Sequence, residues 1–168
     1  MITAASPAPV YLDSCVVLSL FLGDNGYGAA ERWLLAQADQ RLWVSHWVLL
    51  EFSGVVALCL RCGELTAQRC QAIHAEFECF RQERLGLLEP RGADYLQARH
   101  WLQEFKGPPL RSGDALHLAM AKRQSLTIAS ADQGLVKAAE ALGLPFQLIT
   151  AAGWAGLPGA TPNPALLE

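Results

Sequence analysis

The sequence predicts a single α/β domain with a central parallel sheet and helices on both faces. The chain has 168 residues, a length typical of one domain. Hydrophobic residues make up 52% of it and charged residues 17%, which excludes an intrinsically disordered chain. Short apolar segments alternate with helical ones and lack polar alternation, as in parallel sheets that are buried on both faces.

Each element follows from local pattern. Apolar segments bounded by turns or charged residues predict strands at residues 10–12, 41–45, 87–89, 126–129 and 146–149. Helical spacing of apolar residues predicts helices at 26–40, 47–61, 66–84, 93–105, 113–123 and 133–142. Thr66 and Ser112 are predicted to be N-caps, and Gly143 ends the last helix.

The ends and the cysteines complete the predicted organisation. We expect a short lead at 1–8, the domain at 9–150, and a tail rich in Pro, Gly and Ala at 151–168. The N-terminus has no basic, apolar signal pattern, and no apolar run reaches the roughly 18–20 residues of a membrane span. The five cysteines are expected to be reduced thiols. These features predict a cytoplasmic protein without a membrane segment.

The net charge bears on the class of function. The formal charge is −3, which argues against broad, sequence-independent coating of nucleic acid. It does not exclude a nuclease, because a nuclease active site is itself acidic.

Two aspartates follow predicted strands. Ligands bind at the carboxyl ends of parallel strands, and Asp13 and Asp132 come after the strands at 10–12 and 126–129. Each also has a simple structural explanation: Asp13 as a turn residue, and Asp132 as the N-cap of the next helix, with Ser130 as a competing cap.

Two further acids lie on predicted helices. Glu51 projects from an apolar helix face that offers it no cation, so we expect that loss of its charge does not destabilise the metal-free protein. The alternative is a salt bridge to a distant arginine. Asp114 lies in a first helical turn, where it complements the helix dipole, but its small neighbours leave room for a ligand.

Together the four acids predict a metal site. Close carboxylates repel by about 1–4 kcal/mol per pair, so a cluster persists when protonated or when holding cations. All-oxygen ligands suit Mg²⁺ or Mn²⁺. Two such ions can activate water and stabilise a leaving oxyanion in phosphodiester hydrolysis.

Five segments resemble the PIN domain family, in particular the VapC-type toxin ribonucleases of toxin–antitoxin pairs. In the family's order they are VYLDS (10–14), SHWVLLE (45–51), LRSGDALHLA (110–119), TIASAD (127–132) and AAEALGL (138–144). The resemblance implies a PIN-like fold and an Mg²⁺-dependent site, with Mn²⁺ as a substitute. Its four acids fall on Asp13, Glu51, Asp114 and Asp132.

The resemblance also implies an RNA substrate, a homodimer, and an antitoxin that blocks the site. Cys15 departs from the family, which often has Ser or Asn there. Ser14 and Ser130 are possible supports of the acids. Arg111 is a possible RNA contact, although a solvated loop arginine is the simpler explanation. His117 is interpreted as a structural histidine.

Two alternatives to a metal-dependent ribonuclease stay open. A phosphatase with Asp13 as nucleophile would usually have a second Asp two residues later, where this chain has Cys15. A non-cleaving module would bind RNA or an antitoxin through the same domain.

Overall fold

A mainly parallel sheet forms the centre of the computed structural model, which describes residues 8–156. Its strands are β1 (Val10–Leu12), β2 (Leu42–Ser45), β3 (Leu85–Leu88), β4 (Thr127–Ser130), β5 (Phe146–Thr150) and β6 (Gly153–Gly156). Their order is β3-β2-β1-β4-β5-β6. The first five strands are parallel, and β6 is antiparallel to β5. The predicted α/β fold with a parallel sheet is confirmed.

Seven helices connect and cover the strands in the described part of the chain. They are α1 (Ser14–Leu22), α2 (Tyr27–Ala36), α3 (His46–Arg61), α4 (Ala67–Arg84), α5 (Gly92–Glu104), α6 (Ser112–Arg123) and α7 (Gln133–Ala141). No helix among residues 8–156 is long and apolar enough to span a bilayer.

Three local predictions need correction. Helix α1 was not predicted; its sequence, SCVVLSLFL, is apolar almost throughout and gives no amphipathic signal. Ser112 is the first residue of α6 rather than its N-cap, a position that Arg111 occupies. Strand β3 begins at Leu85, directly at the end of α4, so the strand predicted at 87–89 starts earlier. The Thr66 cap is confirmed, since its hydroxyl accepts a hydrogen bond from Arg69 N at 3.1 Å.

The predicted tail contributes to the sheet. Residues 153–156 form β6, paired with β5 through Gln147↔Gly156 and Thr150↔Gly153. The predicted tail therefore contains a strand that extends the domain past residue 150. Residues 157–168, and the predicted lead except for residue 8, lie outside the described residues.

The core surrounds β1, whose three side chains are completely buried. Trp33 and Trp101 belong to this core, at 0% and 8% exposure.

All five cysteines are free thiols. Cys59 and Cys62 stand three residues apart at the end of α3, a C-x-x-C spacing.

The strand order fixes where a ligand would bind. The chain passes from β1 to β2 on one side of β1, and after β3 it returns to β4 on the other side. In such sheets ligands bind at this switch point, beside the carboxyl ends of the two strands that flank it, here β1 and β4. Asp13 N donates to Ala129 O at 3.0 Å across this point. Asp13 and Asp132 follow the two strands here.

Candidate active site

Asp13 is buried at the end of β1. It is the N-cap of α1 but makes no side-chain cap hydrogen bond, so its carboxylate is free for other contacts. Its Oδ2 accepts hydrogen bonds from Ser130 Oγ at 2.7 Å and from Cys15 Sγ at 3.0 Å. The side chain is thus held from β4 and from α1, and Oδ1 points toward Ser14 and His117, 3.3 and 3.4 Å away.

Cys15 acts as a neutral donor to Asp13. Burial raises the pKa of the Cys15 thiol strongly, and the negative charge of Asp13 raises it further. The thiol therefore stays protonated and donates a hydrogen bond to the Asp13 carboxylate. Its sulfur also accepts a hydrogen bond from Ala131 N at 3.3 Å. The departure from the family's usual Ser or Asn keeps a hydrogen-bond donor at this position.

Glu51 is held by one of its two carboxylate oxygens. Oε2 accepts from Ser14 Oγ at 2.6 Å and contacts His117 Nε2 at 2.8 Å. No hydrogen bond to Oε1 is present among the described residues. The partner of Glu51 is thus His117, 66 residues away in the chain, rather than the distant arginine that the sequence left open.

The pKa of Glu51 reflects these contacts. Burial raises it, but the hydrogen bond and charge of His117, the hydrogen bond from Ser14 and the nearby indole N–H of Trp47 together lower it more. The net pKa therefore lies below the usual value. Glu51 is therefore ionised at neutral pH and suited to binding a cation.

A small space adjoins the unbonded oxygen of Glu51. A Cβ placed on Gly113 would lie 3.2 Å from Glu51 Oε1 and 3.6 Å from Trp47 Nε1. Trp47 Nε1 is buried without a hydrogen-bond partner among the described residues. The absence of a side chain at Gly113 therefore keeps Oε1 accessible.

Asp114 lies in the first turn of α6 and is half-buried. Burial raises its pKa, as do the negative charges of Asp13 and Asp132, while His117 and Arg111 lower it. The net pKa is above the usual value. Asp114 therefore lies within electrostatic range of both Asp13 and Asp132.

Asp132 combines a structural and a potential ligand role. Its Oδ1 accepts from Gly134 N at 2.6 Å and Leu135 N at 3.3 Å, which makes it the N-cap of α7. The cap interpretation is therefore correct, and it uses one oxygen only. Ser130, the competing cap, instead accepts from Asp132 N at 2.9 Å and fixes the turn between β4 and α7.

His117 is a site residue whose importance the sequence did not show. It is buried, and it reaches Glu51 through Nε2 and the Tyr11 hydroxyl through Nδ1 at 2.8 Å. Burial lowers its pKa, but the Glu51 hydrogen bond and the charges of Asp13, Glu51 and Asp114 raise it more, so the net pKa is raised. In the sequence, its position three residues after Asp114, on the same side of α6, was the one sign that His117 belongs near the acids.

The donor set fits a hydrated divalent cation. Among residues 8–156, no three His, Cys, Asp or Glu side chains are already arranged around one point as direct ligands. Mg²⁺ usually keeps several waters and binds through one or two carboxylates plus phosphate oxygens. Among the described residues, Glu51 and Asp132 each have one oxygen held by the protein and one without a hydrogen bond, and the Asp114 carboxylate accepts none. These oxygens suit such an ion.

Comparison with known proteins identifies the family. The fold and the acid-lined switch point define an α/β domain with the sequence pattern of PIN domains. The PIN domain family model matches residues 10–141, and the chain belongs to this family. A search of curated proteins finds no match.

Solved structures share the fold at low sequence identity. VapC20 of Mycobacterium tuberculosis, described as a toxin that cleaves the sarcin–ricin loop, is 20% identical with a TM-score of 0.61; the match covers 77% of this chain and 94% of that one. FitAcB of Neisseria gonorrhoeae is 23% identical with a TM-score of 0.61, covering 82% and 95%. VapBC2 of Rickettsia felis, bound to a promoter DNA fragment, is 14% identical with a TM-score of 0.63, covering 84% and 98%.

Proposed function

We propose that this protein is an Mg²⁺-dependent endoribonuclease that hydrolyses RNA phosphodiester bonds as the toxin of a type II toxin–antitoxin pair. The observation that carries the proposal concerns two of the candidate acids, Glu51 and Asp132. Each has one oxygen held by the protein and one without a hydrogen bond among the described residues. Membership of the PIN family supports it. Fold neighbours described as VapC toxins and VapBC complexes support it further.

In this proposal the chain's own residues hold and orient the acids. Asp13, Glu51, Asp114 and Asp132 would hold Mg²⁺, or Mn²⁺ in its place. When bound, the ion lowers the pKa of water for attack at phosphorus and stabilises the leaving oxygen. Ser130 and Cys15 fix Asp13, and Ser14 fixes Glu51.

Arg111 is proposed to contact substrate phosphate. It is exposed at the start of α6, and its charge lowers the pKa of the neighbouring Asp114. A guanidinium at the edge of an acidic site offers paired donors to a phosphate and reduces the repulsion that RNA meets there.

Cleavage of RNA by the purified protein tests the proposal. We expect Mg²⁺-dependent cleavage that excess chelator abolishes and added Mn²⁺ restores. Asp13→Asn and Asp114→Asn should each abolish cleavage, because each removes a charge from the ion site. Asp39→Asn, at an exposed aspartate after α2, is the matched control and should cleave like wild type. Full activity in chelator, or in either site variant, would contradict the metal mechanism.

The same assay separates the alternatives. A non-cleaving module would bind RNA and leave it intact with every cation. A phosphatase would release phosphate from a small monoester and spare internal RNA bonds.

Cytoplasmic location is part of the proposal, since an RNA substrate and five free thiols suit a reducing compartment.

An antitoxin and a second copy of the chain are the proposed partners. The neighbours include VapBC and FitAB assemblies, several with DNA. Trp33 and Trp101 are buried within the monomer and so are not available as dimer contacts. Exposed apolar side chains are instead found on α3 and α5: Leu50, Leu58, Leu60, Tyr95, Leu96 and Leu102.

Solution mass and co-purification test the partners. Light scattering of the purified protein should give twice the chain mass, and a small DNA-binding protein encoded beside it should co-purify and inhibit cleavage. A monomer at every concentration would remove the dimer from the proposal.

A further inference from the structure

Tyr11 has a polar contact that its position in the core does not require. It is the middle residue of β1 and is completely buried. Its hydroxyl lies 2.7 Å from Ser45 Oγ and 2.8 Å from His117 Nδ1. A buried hydroxyl without partners costs free energy, so a phenylalanine would fill an apolar core more simply. The hydroxyl therefore needs an explanation beyond packing.

The hydroxyl fixes the orientation of the His117 ring. One ring nitrogen meets Tyr11 and the other meets Glu51 Oε2 at 2.8 Å. A ring flip would exchange nitrogen and carbon positions and lose both contacts. Ser45 in turn is anchored, because its Oγ accepts from Val48 N at 3.2 Å as the N-cap of α3. A continuous chain of contacts thus runs from Ser45 through Tyr11 and His117 to Glu51.

This series of contacts determines which oxygen of Glu51 is available. His117 and Ser14 both meet Oε2, and Oε1 lies beside the space at Gly113. If the ring of His117 turned away, Oε2 would keep only the hydrogen bond from Ser14. The direction of the open oxygen of Glu51 would then be less firmly fixed.

We propose that Tyr11 and His117 are positioning residues that hold Glu51 by Oε2 and so direct Oε1 toward the cation site. The proposal rests on the proposed function for its consequence, since a fixed Oε1 matters there as an ion ligand. Neither residue is a catalytic residue here: Tyr11 is separated from Glu51 by the His117 ring. The effect of Tyr11 on the site passes through His117 and Glu51.

Mn²⁺ binding to the full chain tests the coupling. Tyr11→Phe should weaken Mn²⁺ binding, measured by calorimetry, by about fivefold, the effect of one net hydrogen bond. In a Glu51→Gln background the same change should have no further effect, because the residue through which Tyr11 acts is already altered. Tyr27→Phe deletes an exposed hydroxyl bonded to Glu31 and should bind Mn²⁺ like wild type.

Equal weakening by Tyr11→Phe in both backgrounds would overturn the proposal, since a general structural effect is additive. So would unchanged Mn²⁺ binding in Tyr11→Phe.

Nuclear magnetic resonance of the metal-free protein gives a test that does not depend on the proposed function. In protein with ¹⁵N-labelled histidine, the Nε2 proton of His117 should give a slowly exchanging signal that is absent from His117→Asn. That proton should exchange faster with water in Tyr11→Phe and stay unchanged in Tyr27→Phe. Unchanged exchange in Tyr11→Phe would overturn the positioning role. Absence of Mn²⁺ binding to wild type, with the exchange result as expected, would instead contradict the proposed function alone.

Discussion

Ser130 Oγ lies 2.7 Å from Asp13 Oδ2 and joins the ends of β4 and β1 across the switch point of the sheet. Ser130 Oγ also accepts a hydrogen bond from Asp132 N at 2.9 Å. A single buried hydroxyl therefore sets the side chain of one acid and the backbone of another. The two acids lie 119 positions apart in the chain, and Ser130 fixes their relative placement.

Ser130→Ala should lower both stability and metal-dependent activity. A hydrogen bond to a charged group contributes about 1.5–3 kcal/mol, and Asp13 keeps only Cys15 as a close donor to Oδ2 when the hydroxyl is lost. Urea unfolding should show a loss in this range. Ser53→Ala, at an exposed position of α3, should change stability by less than about 0.5 kcal/mol. Equal stability of the two variants would mean that Ser130 does not hold Asp13.

Glu51→Gln should destabilise the metal-free protein at neutral pH. From the sequence we expected that loss of the Glu51 charge would not destabilise the metal-free protein. The structure reverses this expectation, because His117 and Ser14 donate hydrogen bonds to the Glu51 carboxylate. We expect a loss of about 1–2 kcal/mol, at the lower end for hydrogen bonds to a charged group because Glu51 is partly exposed. Glu140→Gln, at an exposed position of α7, is the control.

The pH dependence of that loss follows from the lowered pKa of Glu51. A carboxyl whose pKa is lower in the folded state contributes stability above its unfolded pKa and loses it as pH falls through the folded pKa. The gap between wild type and Glu51→Gln, measured by urea unfolding, should therefore be full at pH 7 and shrink below about pH 4. A gap that stays constant over this range would show that the charge of Glu51 is not stabilising.

The sequence predicted the sheet better than its connections. Strands such as β1 and β4 are short apolar runs between polar residues, and this pattern is local. Helix α1 was missed because an apolar segment next to a strand looks the same whether it is helical or extended. Strand β6 was missed because residues 153–156 contain two glycines and acquire their structure by pairing with β5.

The candidate acids and two of their supports, Ser14 and Ser130, could be named from the sequence, but the roles of His117 and Tyr11 could not. Asp13 and Asp132 follow strands, so chain position alone puts them at the ligand edge. The role of His117 depends on contacts with Tyr11 and Glu51, 106 and 66 residues away. No local pattern encodes such pairs. Cys15, noted only as a departure, proves to be a hydrogen-bond donor to Asp13.

Asp114→Asn should stabilise the metal-free protein while abolishing cleavage. Burial and the charges of Asp13 and Asp132 raise the pKa of Asp114, so its ionisation costs stability at neutral pH. Removing the charge should raise the melting temperature at pH 7 by about 1–3 °C. Below about pH 3.9 the carboxyl is protonated in both states, and the difference should vanish. A lower melting temperature for the variant at pH 7 would contradict clustering of the acids.

Gly113→Ala should separate stability from metal binding. Gly113 lies in the first turn of α6, where alanine is compatible with the helical backbone and, by helix propensity, favours folding by about 0.5–1 kcal/mol. The added methyl would lie 3.2 Å from Glu51 Oε1, inside the space that an ion or its water would use. Glu51 must shift by a few tenths of an ångström to admit the methyl, which offsets the gain in helix propensity. We expect a melting temperature close to that of wild type together with a roughly tenfold higher Mg²⁺ requirement for cleavage, equivalent to about 1.4 kcal/mol.

Gly54→Ala is the matched control for this prediction. Gly54 is an exposed glycine within α3, the helix that carries Glu51, and a Cβ there would meet nothing within 4 Å. It should raise stability by about 1 kcal/mol and leave the Mg²⁺ requirement unchanged. Because both variants make the same chemical change in a helix, a shared rise in Mg²⁺ requirement would point to helix stiffening. A rise in Gly113→Ala alone would locate the cation beside Glu51 Oε1, and no rise in either would place the cation elsewhere.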